Sequence, residues 1–185
     1  MYHIGCSEDC YNNDAMNGRA TKNVTLVFKR EELLYDIKNY AYIEGHVWGE
    51  ENQHAQHTLV DIGEDGNVDR VNRILDTIHA ATIELLYPYT KQELVDDEEI
   101  SDQMEAPIDY KIEMKVPITM SRTTLLLLNK LIHEFMVARV IHDWLSITHP
   151  EAASNWISKA LEAEEEINSI KHSRTGVMRR PSHPF

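Results

Sequence analysis

Ten histidines and thirty-one carboxylates are the groups from which any chemistry in this 185-residue chain would have to be built. His133-Glu134 begins like the zinc-binding H-E-x-x-H, but position 137 is Val, so the second histidine of that helix face is missing. His142-Asp143 follows further along the same segment. Glu51-Asn52-Gln53-His54 has the Glu-x-x-His spacing of di-iron bundles, yet it occurs once and in a polar stretch. Such sites need two copies and two further inward carboxylates. His54 and His57 lie three apart without an evident partner. His3, Cys6 and Cys10 are three soft ligands whose spacing fits no common zinc motif and which lack a fourth. Asp61, Gly63, Asp65, Asn67 and Asp69 alternate like a calcium loop. Gly63 spoils the third position, and Asn72 stands where a bidentate Glu is required. No G-x-S-x-G and no phosphate-cradling glycine loop occurs. The expectation is therefore no catalytic residue, no metal and no cofactor. The chain reads as a protein that works through its surfaces.

Charge is where the sequence speaks about surfaces. The net charge is −13, and residues 61–106 hold 13 acids against 3 bases. The densest part is an acidic loop, 93–106, which carries Glu93, Asp96, Asp97, Glu98, Glu99, Asp102 and Glu105 without one base. Such a block repels itself and stays solvated. It reads either as a solubilising loop or as a surface that repels phosphate or meets a basic partner. Broad embrace of nucleic acid is excluded, because each phosphate contact needs a cation. The segment from Lys171 to Phe185 has the opposite character, with four bases and no acid. Its Gly176, Pro181 and Pro184 oppose a helix. Residues 174–185, with Arg174, Val177, Met178, Arg179, Arg180 and Phe185, read as an arm suited to a mixed apolar and acidic groove. The start of the chain has no cationic stretch followed by an apolar one, and apolar runs such as Leu125–Leu128 are only four residues long. A secretory signal and a membrane span are not expected.

The elements that must carry these surfaces follow from periodicity. Asn23–Phe28 alternates and is β-branched, as a strand does. Glu31–Ile43 places Leu33, Leu34, Ile37, Tyr40 and Ala41 at helical spacing. Asn67 is expected to cap a second helix that runs to about Leu86 and stops at Pro88, with Val68, Val71, Ile74, Leu75, Ile78, Thr82, Leu85 and Leu86 facing a core. Residues 108–119 alternate with period two, and Pro117 marks an edge or a bend. Ser121 is expected to open the longest helix, Arg122–Ile147, whose two apolar stripes imply packing on more than one side. A turn at Thr148-His149-Pro150 precedes a last helix with Ala153, Trp156, Ala160, Ala163, Ile167 and Ile170 inward. The fold class is mainly α. It is a small antiparallel bundle of about four helices, with one or two strands forming a wing or an inter-subunit ribbon. The expected division is an N-terminal extension, 1–22, a helical domain, 23–173, and the C-terminal arm, 174–185.

This order of elements resembles the head-to-tail connector (neck, adaptor or ring) proteins of tailed bacteriophages. The resemblance is carried by DGNVDRVNRILDTIHAATIELLYPYT, IDYKIEMKVPITM, SRTTLLLLNKLIHEFMVARVIHDWLSITHP, EAASNWISKALEAEEEINSIKHS and RTGVMRRPSHPF in succession. The preceding EELLYDIKNYAYIEG is similar to the start of neck proteins of gut phages and related prophages, crAss-like phages included. It covers residues 23–185 and lies in layout, with no diagnostic short motif. The resemblance implies a homo-oligomeric, dodecameric ring in the virion neck, assembled in the host bacterial cytoplasm. Its implied partners are the portal protein, other neck or tail rings, and double-stranded DNA that passes through the channel without specific binding. Asp96, Asp97, Glu98, Glu99 and Asp102 would then line the channel, and the arm would dock on a portal. Two other classes remain open on the residues alone: an acidic regulator or DNA mimic, and a bundle metalloprotein with a His/Glu site.

Overall fold

The computed structural model describes residues 20–47, 62, 65–93 and 107–173. Six elements follow one another in these residues: β1 (Thr21–Lys29), α1 (Arg30–Val47), α2 (Asp65–Leu85), β2 (Asp109–Pro117), α3 (Arg122–Thr148) and α4 (Pro150–Ser173). The mainly helical bundle with a small antiparallel ribbon, expected from the sequence, is what forms.

α3 is the centre. Ser121 caps it, with its side-chain oxygen accepting from the Thr124 amide at 3.1 Å. This satisfies one of the donors that every helix start leaves open. Leu128, Ile132 and Phe135 of one stripe and Leu131, Ala138, Ile141 and Leu145 of the other are buried, Leu125 is half-buried, and Met136, Val137, Val140 and Trp144 are buried as well. From Phe135 to Val140 only Arg139 escapes full burial. α4 packs along α3, while α1 and α2 meet other sides of it. His149 and Pro150 make the tight turn between α3 and α4, and Pro150 takes the first helical position, where its missing N–H costs nothing. No helix among the described residues is long and apolar enough to cross a membrane.

The two strands pair with each other. β1 and β2 are antiparallel, with Lys22 opposite Val116 and Phe28 opposite Tyr110. Leu26, Phe28, Tyr110, Ile112, Met114 and Val116 all face one way, and all are buried in the same core as the helices. A lone two-stranded ribbon is marginal in water; this one is stabilised by covering the bundle. Of the two readings of the ribbon, a wing or an inter-subunit pairing, the observed pairing is within the chain. Arg30 donates to the Ile108 carbonyl and Ile118 to the Ala20 carbonyl. With that register, even-numbered residues exchange the ladder bonds, and odd-numbered residues point their amides and carbonyls outward. On β2 two of these outward groups are met: Lys115 donates to the Tyr89 carbonyl at 2.8 Å, and the Lys111 carbonyl accepts from His79. On β1 the outward backbone groups of Asn23, Thr25 and Val27 meet no backbone partner among the described residues, so within these residues they form an open edge.

One boundary differs from expectation. α2 begins at Asp65, so Asn67 lies inside its first turn rather than at its cap. The helix simply runs two residues further back through Gly66, and Asp69 places a carboxylate near the positive end of its dipole. Because Asp65, Asn67 and Asp69 are helical, they do not form the loop that a calcium site would need. At the other end the chain leaves the helix at Leu85 and turns over residues 86–90.

A polar seam joins α2 to β2. The Tyr110 hydroxyl donates to Asp76 at 2.8 Å, and the His79 ring donates its Nε2–H to the Lys111 carbonyl at 3.1 Å. Burial lowers the His79 pKa, and the bond to the Lys111 carbonyl opposes it only in part. The unfolded chain protonates this imidazole near its ordinary value of about 6.5, whereas the folded chain resists the proton to lower pH. Stability therefore falls as pH drops below about 6.5, because the unfolded state then binds more protons. A His79→Gln chain keeps an amide donor for Lys111 and loses the titration. Its melting temperature should fall less than the wild type's between about pH 7.5 and pH 5.5. Equal falls would show that His79 does not carry this acid sensitivity.

Candidate functional site

One stripe of α1 builds a recess on the described surface. Asp36, Tyr40 and Glu44 recur at four-residue spacing and so stand on one face. That face looks across at α3 and α4. Asp36 Oδ2 lies 2.7 Å from His133 Nε2 on α3. Tyr40 meets Trp156 of α4 edge-on, with ring centroids 5.2 Å apart. Glu44 Oε1 accepts the Trp156 indole N–H at 2.9 Å. Lys159, one turn on from Trp156, places its ammonium 4.8 Å from the Trp156 ring and 5.3 Å from the Tyr40 ring. This is a cation held over two negative ring faces.

The recess between these elements is a groove of about 650 Å³. Its floor is apolar, formed by Phe28, Val137, Ala138, Trp156 and Ala163. Its walls carry Tyr35, which is 70% exposed, and Tyr40 and Val27, both partly open to solvent. Its rim is charged: Glu31, Glu32, Asp36 and Glu134 against Lys130 and Lys159. Glu32 also bonds Lys29 at 3.0 Å, and this raises the Lys29 pKa. A second hollow of about 330 Å³ shares Trp156 and Lys159 and adds two more acids, Glu44 and Glu162. Six carboxylates thus surround the two hollows, with two lysines among them. An apolar floor under an acidic rim suits a ligand with basic and apolar groups in alternation.

His133 was singled out in the sequence for its neighbour Glu134; its partner in the structure is Asp36. That pair is half-exposed and joins two helices. No group of three His, Cys, Asp or Glu able to hold a metal occurs among the described residues. His142 Nδ1 is bonded to the Ala153 carbonyl at 3.0 Å and serves the α3–α4 contact. Trp144 and Trp156 are buried, as their helical faces suggest. Cys6, Cys10, His3, Trp48, His54 and His57 lie outside the described residues, as do Asp96, Asp97, Glu98, Glu99 and Asp102 of the acidic loop. Arg174, Val177, Met178, Arg179, Arg180 and Phe185 of the arm lie outside them too.

What the structure fixes is where these two segments are rooted. The Tyr89 hydroxyl donates to the Lys171 carbonyl at 3.0 Å, and Lys171 Nζ donates to the Leu85 carbonyl at 2.6 Å. Tyr89 precedes the acidic loop by four residues, and Lys171 precedes the arm by three. Their roots are therefore side by side. The far root of the loop lies beside the start of α1, where Ile108 accepts from Arg30.

No family model, no curated protein and no solved structure matches this chain. The groove was not visible as a motif, because its residues come from four elements. The available signal was Tyr35 and Tyr40 on α1, each four residues after an acid; Tyr40 stands at the groove mouth.

The Trp156–Glu44 bond anchors the end of α1 to α4. Trp156→Phe keeps a ring on the floor and leaves Glu44 without its donor. The expected loss is about 1–2 kcal/mol in urea unfolding, since the acceptor is a half-exposed carboxylate. Glu44→Gln, which retains an acceptor, should cost less than Trp156→Phe. A Trp156→Phe chain as stable as the wild type would show that the bond contributes nothing.

Proposed function

We propose that this chain is a structural protein of a tailed-phage virion, a ring subunit of the neck that connects portal to tail and surrounds the DNA channel. The observation that carries the reading is the element order. An amphipathic helix and an extended strand precede a 27-residue central helix, a tight turn, a 24-residue final helix and a basic arm. This is the layout of the neck proteins that the sequence resembles. A ring subunit needs a rigid wedge, and the α3–α4 pair with its dense core is one. It also needs surfaces for its neighbours. The open edge of β1, at Asn23, Thr25 and Val27, supports a neighbour's strand, because an unpaired edge is otherwise a hazard that proteins cover. The acidic loop supports the channel role: a wall of carboxylates repels phosphate and lets the genome slide, where a cationic wall would hold it.

Two experiments test the reading at separate points. Thr25→Pro removes an outward amide and leaves the β1–β2 ladder bonds in place, a position where an edge strand accepts proline. The variant should fold and should be incorporated into particles at reduced occupancy. Full occupancy would show that β1 is not a subunit contact. Replacing Asp96, Asp97, Glu98, Glu99 and Asp102 by Lys should leave melting nearly unchanged, since charges away from a core shift stability by only about 0.5 kcal/mol. Particles carrying it should retain or release DNA abnormally. Normal delivery would leave the loop as a solubilising segment and remove it from the channel wall.

A further inference from the structure

We propose that the groove between α1, α3 and α4 is the receptor for the chain's own arm, residues 174–185, held there as a latch until a partner takes the arm. The reasoning starts from complementarity. The arm alternates Arg174, Arg179 and Arg180 with Val177, Met178 and Phe185 and has no acid. The groove offers the converse: an apolar floor at Phe28 and Val137, open aromatic walls at Tyr35 and Tyr40, and carboxylates at Glu31 on α1 and Glu134 on α3. An arginine fork reads a carboxylate well and stacks on an aromatic face, and Met and Phe fill an apolar trough. Lys159 already sits over Tyr40 and Trp156, so the walls of this groove hold a cation in the structure itself.

Reach selects the chain's own arm over a second copy's. Ala163, on the groove floor, lies ten residues before the end of α4 at Ser173, about 15 Å along the helix. The twelve residues of the arm span at most about 40 Å when extended. The arm can therefore turn back from Ser173 and still cover the groove. A short tether of this kind gives an effective concentration in the ~mM range, well above that of a second molecule in dilute solution. The latch is independent of the neck role, since it would operate in any protein whose arm has a second receptor. Within a neck it keeps unassembled subunits from engaging one another's arms.

The test uses full-length chains and a fluorescent peptide of residues 174–185, with binding read by anisotropy. In the Arg179→Glu/Arg180→Glu chain the tethered arm no longer fits the acidic rim, so the peptide should bind. The wild-type chain, its groove filled, should bind the peptide at least about tenfold more weakly. Adding Glu31→Gln and Glu134→Gln to the released chain should weaken peptide binding by about tenfold. These rim residues are exposed, so an unchanged melting curve confirms that each variant is folded. If the released chain fails to bind, or the rim changes have no effect, the groove is not the receptor. Equal binding by wild-type and released chains would show that the arm is not stored in its own groove. A wild-type chain that excludes the peptide and is dimeric by light scattering would assign the groove to a second copy's arm. Either of those results overturns the latch.

Discussion

α3 has to be buried on several sides at once, and the rest of the molecule is arranged to do it. Ile132, Met136 and Val140 run along one face at four-residue spacing, Ile141 lies on the opposite one, and all four are fully buried. Removing each such side chain from water contributes about 1.5–3 kcal/mol, so no single neighbour could supply what the whole circumference needs. α4 covers one side through the turn at His149-Pro150, and α1 and α2 cover others. The ribbon adds its apolar face to the same core, with Ile112 and Val116 fully buried. This explains why two nine-residue strands persist as a two-stranded sheet. Their stability comes from the bundle beneath them.

The same constraint sets where the polar groups end up. Where β2 runs against α2, its outward backbone groups face helix and turn instead of water. His79 and the Tyr89 carbonyl satisfy two of them. On β1 the outward groups have no such cover among the described residues. On the other flank α1 approaches α3 and α4 through Asp36, Tyr40 and Glu44, a stripe too polar to close on them. The result is a groove in place of a sealed core. An acidic, aromatic groove and an open strand edge are thus by-products of covering α3 with elements of mixed character, and they are surfaces the described residues leave for other chains or for the arm.

Much of this was legible in the residues. Period two in Asp109–Pro117 and the paired stripes of α3 report local geometry directly, because a side chain's face is fixed by its spacing. Pro88, Ser121 and Pro150 act within one turn of where they stand, and each marks a boundary that the structure keeps. Asn67 was misleading for the same reason in reverse. It is a good cap residue, but the two residues before it are also compatible with a helix start, and tertiary packing chose the longer helix. The groove was not legible. His133 meets Asp36 across ninety-seven residues and Trp156 meets Glu44 across one hundred and twelve. No local pattern encodes such pairs. The strand pairing lay between these cases. Each strand was evident alone, whereas the choice between a neighbour's strand and the chain's own was made by the shared core.

The central claim is that these surfaces serve one ring in a virion neck. It is tested most directly by counting copies of the chain in purified, DNA-filled particles of a tailed phage that encodes it, using quantitative mass spectrometry against the portal protein. The account predicts a copy number in whole-ring proportion to the portal subunits. Absence from particles, or hundreds of copies as for a shell protein, would contradict it.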